Sequence, residues 1–262
     1  MNYQREQTWV ITGGASGIGK CLVEFLVGLK QRVICIDYDQ VAADHMLNVL
    51  RYRELHFIKC DLSVKEDIEN AVQKLTNIYK KIDVIVHNAA TSSQGIDQAT
   101  YEMFLETLKV NLVAPFYLSQ QLIQYLTPQA SIINILSTRV FQSQKNTESY
   151  SASKGGLHAL THAMAISLKG IARVNAISPG WIDTTSCEKK QQSHTLKDHM
   201  QHPSQRIGAP MDVIRAILFL SDPQNDFING TNLTLDGGMS KQMIYHNDFG
   251  WHFEPLEGVV KP

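Results

Sequence analysis

Tyr150 and Lys154 stand four residues apart in the stretch SYSASKGG, residues 149–156. At that spacing a phenol and an ammonium share one helical face, one turn apart. Free in water the phenol titrates near ~10 and the ammonium near ~10.4. A cation beside the phenol favours phenolate, so the pair would let tyrosine exchange protons near neutrality as a general acid and base. Ser137 closes the apolar run SIINILS, residues 131–137, 13 residues before Tyr150. A hydroxyl at the C-terminal end of a strand can hold a substrate oxygen against the phenol. The plainer alternatives are a solvated helix surface for the pair and a turn cap for the serine. Asn111, in LKVNLVAPF, is a poor mid-helix residue and reads as a helix kink or a functional group.

A second constellation lies near the start of the chain. Residues 12–19 read TGGASGIG, with Gly13, Gly17 and Gly19 after a β-rich run and before an apolar-periodic one. Glycine permits positive φ and close backbone approach, and a helix N-terminus offers free N–H groups to a pyrophosphate. An ordinary tight turn would need no more than these glycines. Asp37 shifts the balance, because it ends the next strand 24 residues after Gly13. That is about where a carboxylate receives the ribose hydroxyls of a bound dinucleotide.

The elements that must position these groups alternate along the chain. Strands are predicted at 8–12, 32–37, 56–61, 82–90, 131–137, 171–177 and 231–235. Helices are predicted at 18–29, 40–51, 64–80 with Ser63 as N-cap, within 99–127, and at 149–168 and 210–221. Apolar strands alternating with helices imply an α/β fold, a three-layer doubly wound parallel sheet with helices on both faces. No repeat or low-complexity linker interrupts the pattern, so residues 1–262 read as one domain. Two regions fall outside it: a polar, irregular segment at 183–209, expected to be a substrate lid, and a tail at 240–262.

With 262 residues, 44% of them hydrophobic, the chain can bury a large core without disulfides or metal. The net charge of −1 and the lack of a basic run exclude nothing but recommend neither nucleic acid nor an anionic membrane. The first ten residues, MNYQREQTWV, lack the apolar region of a signal peptide, and no apolar run approaches the ~18 residues of a membrane span. Cys21, Cys35, Cys60 and Cys187 form no C-x-x-C, which fits a reducing cytoplasm.

Taken together, TGGASGIG (12–19), NAA (88–90), Asn111, Ser137, YSASK (150–154), PGWIDT (179–184) and GTNLTLDGG (230–238) resemble the short-chain dehydrogenase/reductase family in order and spacing, over about residues 5–240. The resemblance implies a Rossmann-like fold and an oxidoreductase that interconverts a secondary alcohol and a ketone. It assigns Tyr150 as the acid/base, Ser137 as the substrate-oxygen partner, Asn111 as holder of a relay water, and Lys154 to the nicotinamide ribose. Gly13, Ser16, Gly17, Ile18 and Gly19 would cradle the phosphates, and Asp37 the adenosine ribose. Asp61 and Leu62 would meet the adenine, Asn88 and Ala89 the adenosine ribose, and Pro179, Gly180, Ile182 and Thr184 the carboxamide. No basic residue occupies the glycine turn or position 38, so NAD is expected over NADP. One departure is HNAA (87–90) where the family usually has N-N-A-G. Ala90 would be strained if that position needs positive φ. His87 reads as a buried, hydrogen-bonded histidine.

His158 and His162 lack the glutamate of a zinc motif, and no metal is expected. Gly155, Ala159 and Ala163 form a small-residue stripe on the helix of Lys154, and the family's habit implies a homodimer or homotetramer. The aromatic tail, with Tyr245, Phe249, Trp251 and Phe253, is expected to cross to a neighbouring subunit or to pack on its own core. The pocket is expected from 91–99, 138–149 and 183–209, for a small polar alcohol, sugar, polyol or hydroxy acid. A 3-oxoacyl thioester reductase is the main rival, and a non-catalytic dinucleotide sensor the rival of another class.

Overall fold

The inner strands are largely apolar on both sides because helices cover both faces of the sheet, whereas the edge strands are only partly covered. The computed structural model describes residues 6–185, 187, 194–252 and 254. Seven strands are present: β1 Thr8–Thr12, β2 Arg32–Asp37, β3 Leu55–Lys59, β4 Ile82–His87, β5 Leu126–Ile135, β6 Ala172–Pro179 and β7 Asn232–Leu235. They form one sheet in the order β3-β2-β1-β4-β5-β6-β7, with every neighbouring pair parallel. Val10, Ile34, Ile85, Ile132 and Val174 point to one face, where α3 (Lys65–Ile78), α5 (Ala114–Leu122) and α6 (Glu148–Ser167) bury them. Trp9, Ile11, Val33, Val84, Ile133 and Ile177 point to the other, against α1 (Gly17–Gly28), α2 (Gln40–Leu50) and α8 (Pro210–Ser221). This is the expected three-layer doubly wound sheet. Among the described residues no helix is long and apolar enough to cross a membrane.

The strand order reverses between β1 and β4. The crevice at their carboxyl ends is where such sheets receive ligands, because the loops diverge there. The expected helical stretch 99–127 is broken into α4 (Tyr101–Leu108), a π turn (Lys109–Val113), α5 and a 3-10 turn (Ile123–Tyr125). β5 starts five residues earlier than expected. Ile82 pairs with Leu126 but Val84 with Ser131, so a bulge takes up the segment containing Pro128. Ser63 does not cap α3. Val64 is the N-cap, and the Ser63 hydroxyl donates to Asp61 Oδ1 at 2.8 Å.

The segment 183–209 is less irregular than its polarity suggests. It carries α7 (Leu196–Met200), opened by a capping box between Thr195 and Asp198. Residues 186 and 188–193 of the expected lid, and Phe253 and 255–262 of the tail, lie outside the described residues. Tyr245 and Phe249 stand exposed, so these two do not pack on the chain's own core.

Candidate active site

The first cavity, about 500 Å³, opens at the carboxyl ends of β1 to β4. Its wall includes Gly13, Ser16, Gly17 and Ile18 after β1, Asp37 at the end of β2 with Tyr38 next to it, Cys60, Asp61 and Leu62 after β3, and Asn88 to Thr91 after β4. Gly13 has φ +65°, and a Cβ there would come within 2.7 Å of Ala89 Cα. A Cβ on Gly19 would overlap the carbonyl oxygen of Gly13. Gly17, φ +51°, meets only Thr184 Cγ2 at 3.8 Å and so faces the open cavity. Ser16 is the N-cap of α1 but its side chain makes no cap bond, and the first turn holds no acidic residue. Uncapped N–H groups at a helix start beside open space suit a pyrophosphate. Asn88 locks this turn, its Nδ2 donating to Thr12 O at 3.2 Å and Gly13 O at 2.9 Å.

Asp37 is buried and ties the turn to β2. Its Oδ2 accepts from Ala15 N at 2.9 Å and its Oδ1 from Asp39 N at 3.1 Å. Each oxygen keeps a lone pair for a ribose hydroxyl. Asp61 Oδ1 accepts from Ser63 N at 2.9 Å and stands at the cavity wall. These residues fit a dinucleotide.

The polar groups of the reaction centre come from β5, the π turn and α6. Ser137 follows β5 and caps a 3-10 turn, its Oγ accepting from Arg139 N at 3.2 Å. That bond does not use the hydroxyl proton, which is within hydrogen-bonding reach of the Tyr150 phenol oxygen. Tyr150 lines the same cavity as Ser137, and Lys154 sits one turn on, its Nζ 5.5 Å from the Tyr150 ring centroid. Asn111 is fully buried in the π turn. Its Nδ2 donates to Thr91 O at 2.8 Å and Ser153 Oγ at 2.9 Å, and its Oδ1 accepts from Thr91 N at 2.8 Å. The asparagine thus makes the kink and pins the loop after β4. With the side chain committed, a water there would have to use backbone groups that the π turn displaces from the regular ladder.

The electrostatics differ from the sequence expectation. Burial raises the Tyr150 phenol above its usual range, and the Ser137 hydroxyl and then the Arg139 charge oppose it without prevailing. Lys154, which was expected to lower the phenol, is itself pushed down to about 8 by burial. Its Nζ donates to Ile135 O at 2.7 Å rather than to the phenol. Raised above its usual range, the Tyr150 phenol is protonated at neutral pH, which is the form that gives a proton.

A second cavity, about 540 Å³, is lined by Ser137, Thr138, Arg139, Gln142, Gln144, Tyr150, Gly180, Trp181, Gln201, Asp236 and Met239. Residues 138–144 and Gln201 were expected there, whereas none of 91–99 lines it; Thr91 belongs to the first cavity. Pro179 ends β6, Ile182 pairs with Gly208 in an isolated parallel bridge, and Thr184 reaches the first cavity. Arg139 falls inside the expected segment 138–149 but was not singled out, and Trp181 and Asp236 were seen only as parts of the motifs PGWIDT and GTNLTLDGG.

The cysteines also depart from expectation. Cys21 on α1 is joined to Cys187, 166 residues away, leaving Cys35 and Cys60 as buried thiols. The bond ties the segment after PGWIDT to the helix that follows the glycine turn. His87 is buried, with Nε2 2.8 Å from Ser119 Oγ, and burial lowers its pKa to about 3. It is a neutral core histidine. Ala90 does not adopt positive φ and carries no strain from replacing a glycine. His158 and His162 stack edge to face at 6.3 Å, and no metal-holding group of three ligands occurs among the described residues.

Residues 13–240 match the family described as enoyl-(acyl carrier protein) reductase. An uncharacterised oxidoreductase of Thermotoga maritima is 40% identical over 247 residues, covering 90% of this chain and 96% of that protein. The chain belongs to the short-chain dehydrogenase/reductase family. Among solved structures of that family, an apo SCOR enzyme from Clostridium thermocellum superposes with a TM-score of 0.86 at 35% identity, covering 96% of this chain and 100% of that one. A 3-ketoacyl-(acyl-carrier-protein) reductase from Brucella melitensis, complexed with NADH, gives 0.79 at 26% identity, over 89% of this chain and 98% of its own. The protein is thus a short-chain dehydrogenase/reductase oxidoreductase with the family's nicotinamide-dinucleotide fold.

Proposed function

We propose that this short-chain dehydrogenase/reductase interconverts a secondary alcohol and a ketone with NAD(H). The observation that carries the reading is the convergence of the Ser137 hydroxyl and the Tyr150 phenol on one cavity, with Lys154 one helical turn away. In ketone reduction the Tyr150 phenol donates its proton to the substrate oxygen, and in alcohol oxidation it takes that proton back. Ser137, with its oxygen already accepting from Arg139 N, donates its O–H to the same substrate oxygen and holds it in reach. Lys154 holds the nicotinamide ribose, and Asn111 keeps the loop after β4 in place. A bound nicotinamide supplies or accepts the hydride.

The choice of NAD over NADP rests on charge. The described wall of the first cavity has Asp37, Asp61 and Glu106 and no lysine or arginine. A 2′-phosphate beside Asp37 would meet like charge and no cationic donor. In this reading the enzyme is a homodimer or homotetramer. Ala159, Ala163 and Ile166 on α6, and Val113 and Phe116 near the start of α5, expose small and apolar surface. Steady-state oxidation of NADH and NADPH against a panel of ketones tests the assignment. At least about a hundredfold higher kcat/KM with NADH is expected. Equal efficiency or an NADPH preference overturns the cofactor choice. Strong preference for an acetoacetyl thioester over every free ketone selects the 3-oxoacyl reading instead.

A further inference from the structure

The second cavity carries one cation, Arg139, with which no carboxylate pairs among the described residues. Arg139 lies in the 3-10 turn two residues after Ser137, partly buried, and lines the cavity together with Ser137 and Tyr150. A guanidinium has five N–H donors and no acceptor. One NH₂ group donates to Gln144 Oε1 at the cavity rim. Among the described residues no carboxylate lies within ion-pair distance of it. Asp236 is in the same wall, but its two oxygens accept from Gly238 N at 2.9 Å and Ser240 N at 2.8 Å, so that carboxylate is held by its own turn. Thr138, Gln142, Gln144 and Gln201 supply only neutral polar groups, and Trp181 and Met239 supply apolar surface.

We propose that Arg139 is a specificity-determining residue that binds the carboxylate of an oxo-acid or hydroxy-acid substrate whose carbonyl or hydroxyl oxygen sits at Ser137 and Tyr150. The inference rests on the dehydrogenase reading of that centre. A planar guanidinium with free donors matches a carboxylate fork to fork, a geometry neither an ester nor a sugar hydroxyl reproduces. The pairing also places the two ends of a short substrate. The oxygen to be protonated goes to the phenol and the anion to the arginine, so the reacting carbon is presented in one orientation. A thioester substrate carries no charge at that end and would leave the guanidinium without an anion.

The test compares 2-oxobutanoate, acetoacetate and levulinate with their methyl esters, in wild type and in Arg139→Gln and Arg139→Lys, using NADH. The readout is the ratio of kcat/KM for each acid to that for its ester. Any effect of Arg139 on the phenol that is common to both substrates cancels in that ratio, because both use Tyr150. Wild type should prefer at least one acid over its ester. Arg139→Gln should reduce that ratio by about 10- to 200-fold, the worth of a charge-assisted hydrogen bond, with Arg139→Lys in between. Unchanged NADH affinity shows that the variants are folded. No acid preference in wild type, or a ratio untouched by Arg139→Gln, overturns the proposal. A protein that binds NADH but reduces neither series refutes the dehydrogenase reading. Calorimetric binding of acid against ester to its NADH complex then still decides the arginine, and equal binding rejects it.

Discussion

Replacing Lys154 by Met should make the nucleotide-free protein more stable while disabling it. Lys154 is 2% exposed, and burial moves its ammonium from 10.5 to about 8. At ~1.4 kcal/mol per pH unit that change costs the fold about 3 kcal/mol at pH 7. Methionine has a similar length and fills the same space without charge. It loses the bond to Ile135 O, worth about 1 kcal/mol, so the net gain is about 2 kcal/mol, or roughly 5 °C in unfolding temperature. The sign follows from the proton counts. Between pH 8 and 10.5 the unfolded chain binds the proton more than the folded one. Wild-type stability therefore rises with pH through that window, and the full penalty applies below it. At pH 9.5 only about 1 kcal/mol of the penalty remains, which the lost hydrogen bond offsets. Denaturant unfolding of both nucleotide-free proteins at pH 7 and 9.5 measures this. A variant less stable than wild type at pH 7, or a gap that does not shrink with pH, refutes the reasoning.

Tyr150→Phe should retain NADH affinity by fluorescence titration and lose about 10²- to 10⁴-fold in kcat, since it deletes only the proton donor; turnover near wild type would remove the phenol from the chemistry. Gly19→Ala should raise the NADH Kd at least about tenfold and destabilise by about 1–3 kcal/mol, because its Cβ overlaps the Gly13 carbonyl; an alanine variant matching wild type in both measurements would show that the turn is not packed this way. Alkylation of denatured but unreduced protein should label two cysteines and, after dithiothreitol, four. Reduction should also speed hydrogen exchange across residues 194–209; four labelled thiols before reduction would exclude the Cys21–Cys187 link.

The nucleotide side was legible in the sequence because backbone geometry dictates it. Gly13 and Gly17 adopt positive φ, Gly19 packs where no side chain fits, and Asp37 ends β2 at a distance set by one strand–helix–strand unit. Such requirements restrict residue type, so they leave a written pattern. The central strands are legible for a related reason. A strand covered on both faces must be apolar throughout, and TWVIT, RVICID and IDVIVH could hardly be anything else. The break in 99–127 was half legible, through Asn111. What propensity could not supply was the Thr91 backbone pair that makes the kink worth its helical cost.

The substrate side was less legible because three-dimensional proximity, and not local pattern, decides it. Arg139, Trp181, Gln201 and Asp236 come from four separate segments and meet only when β5, β6 and β7 are aligned. The same is true of Cys21 and Cys187, which lie 166 residues apart and meet only in the folded chain. Even Tyr150 and Lys154, adjacent on one helical face as their spacing demanded, do not interact as that spacing suggested. The strand end at Ile135 captures the ammonium, and burial governs both groups. With Lys154 turned to a carbonyl, the cationic influence on the phenol comes from Arg139. An anion seated on that arginine would weaken this influence and make the phenol a weaker acid. The arginine's gain for a carboxylate substrate is therefore one of binding and orientation, set by geometry, and not one of proton transfer.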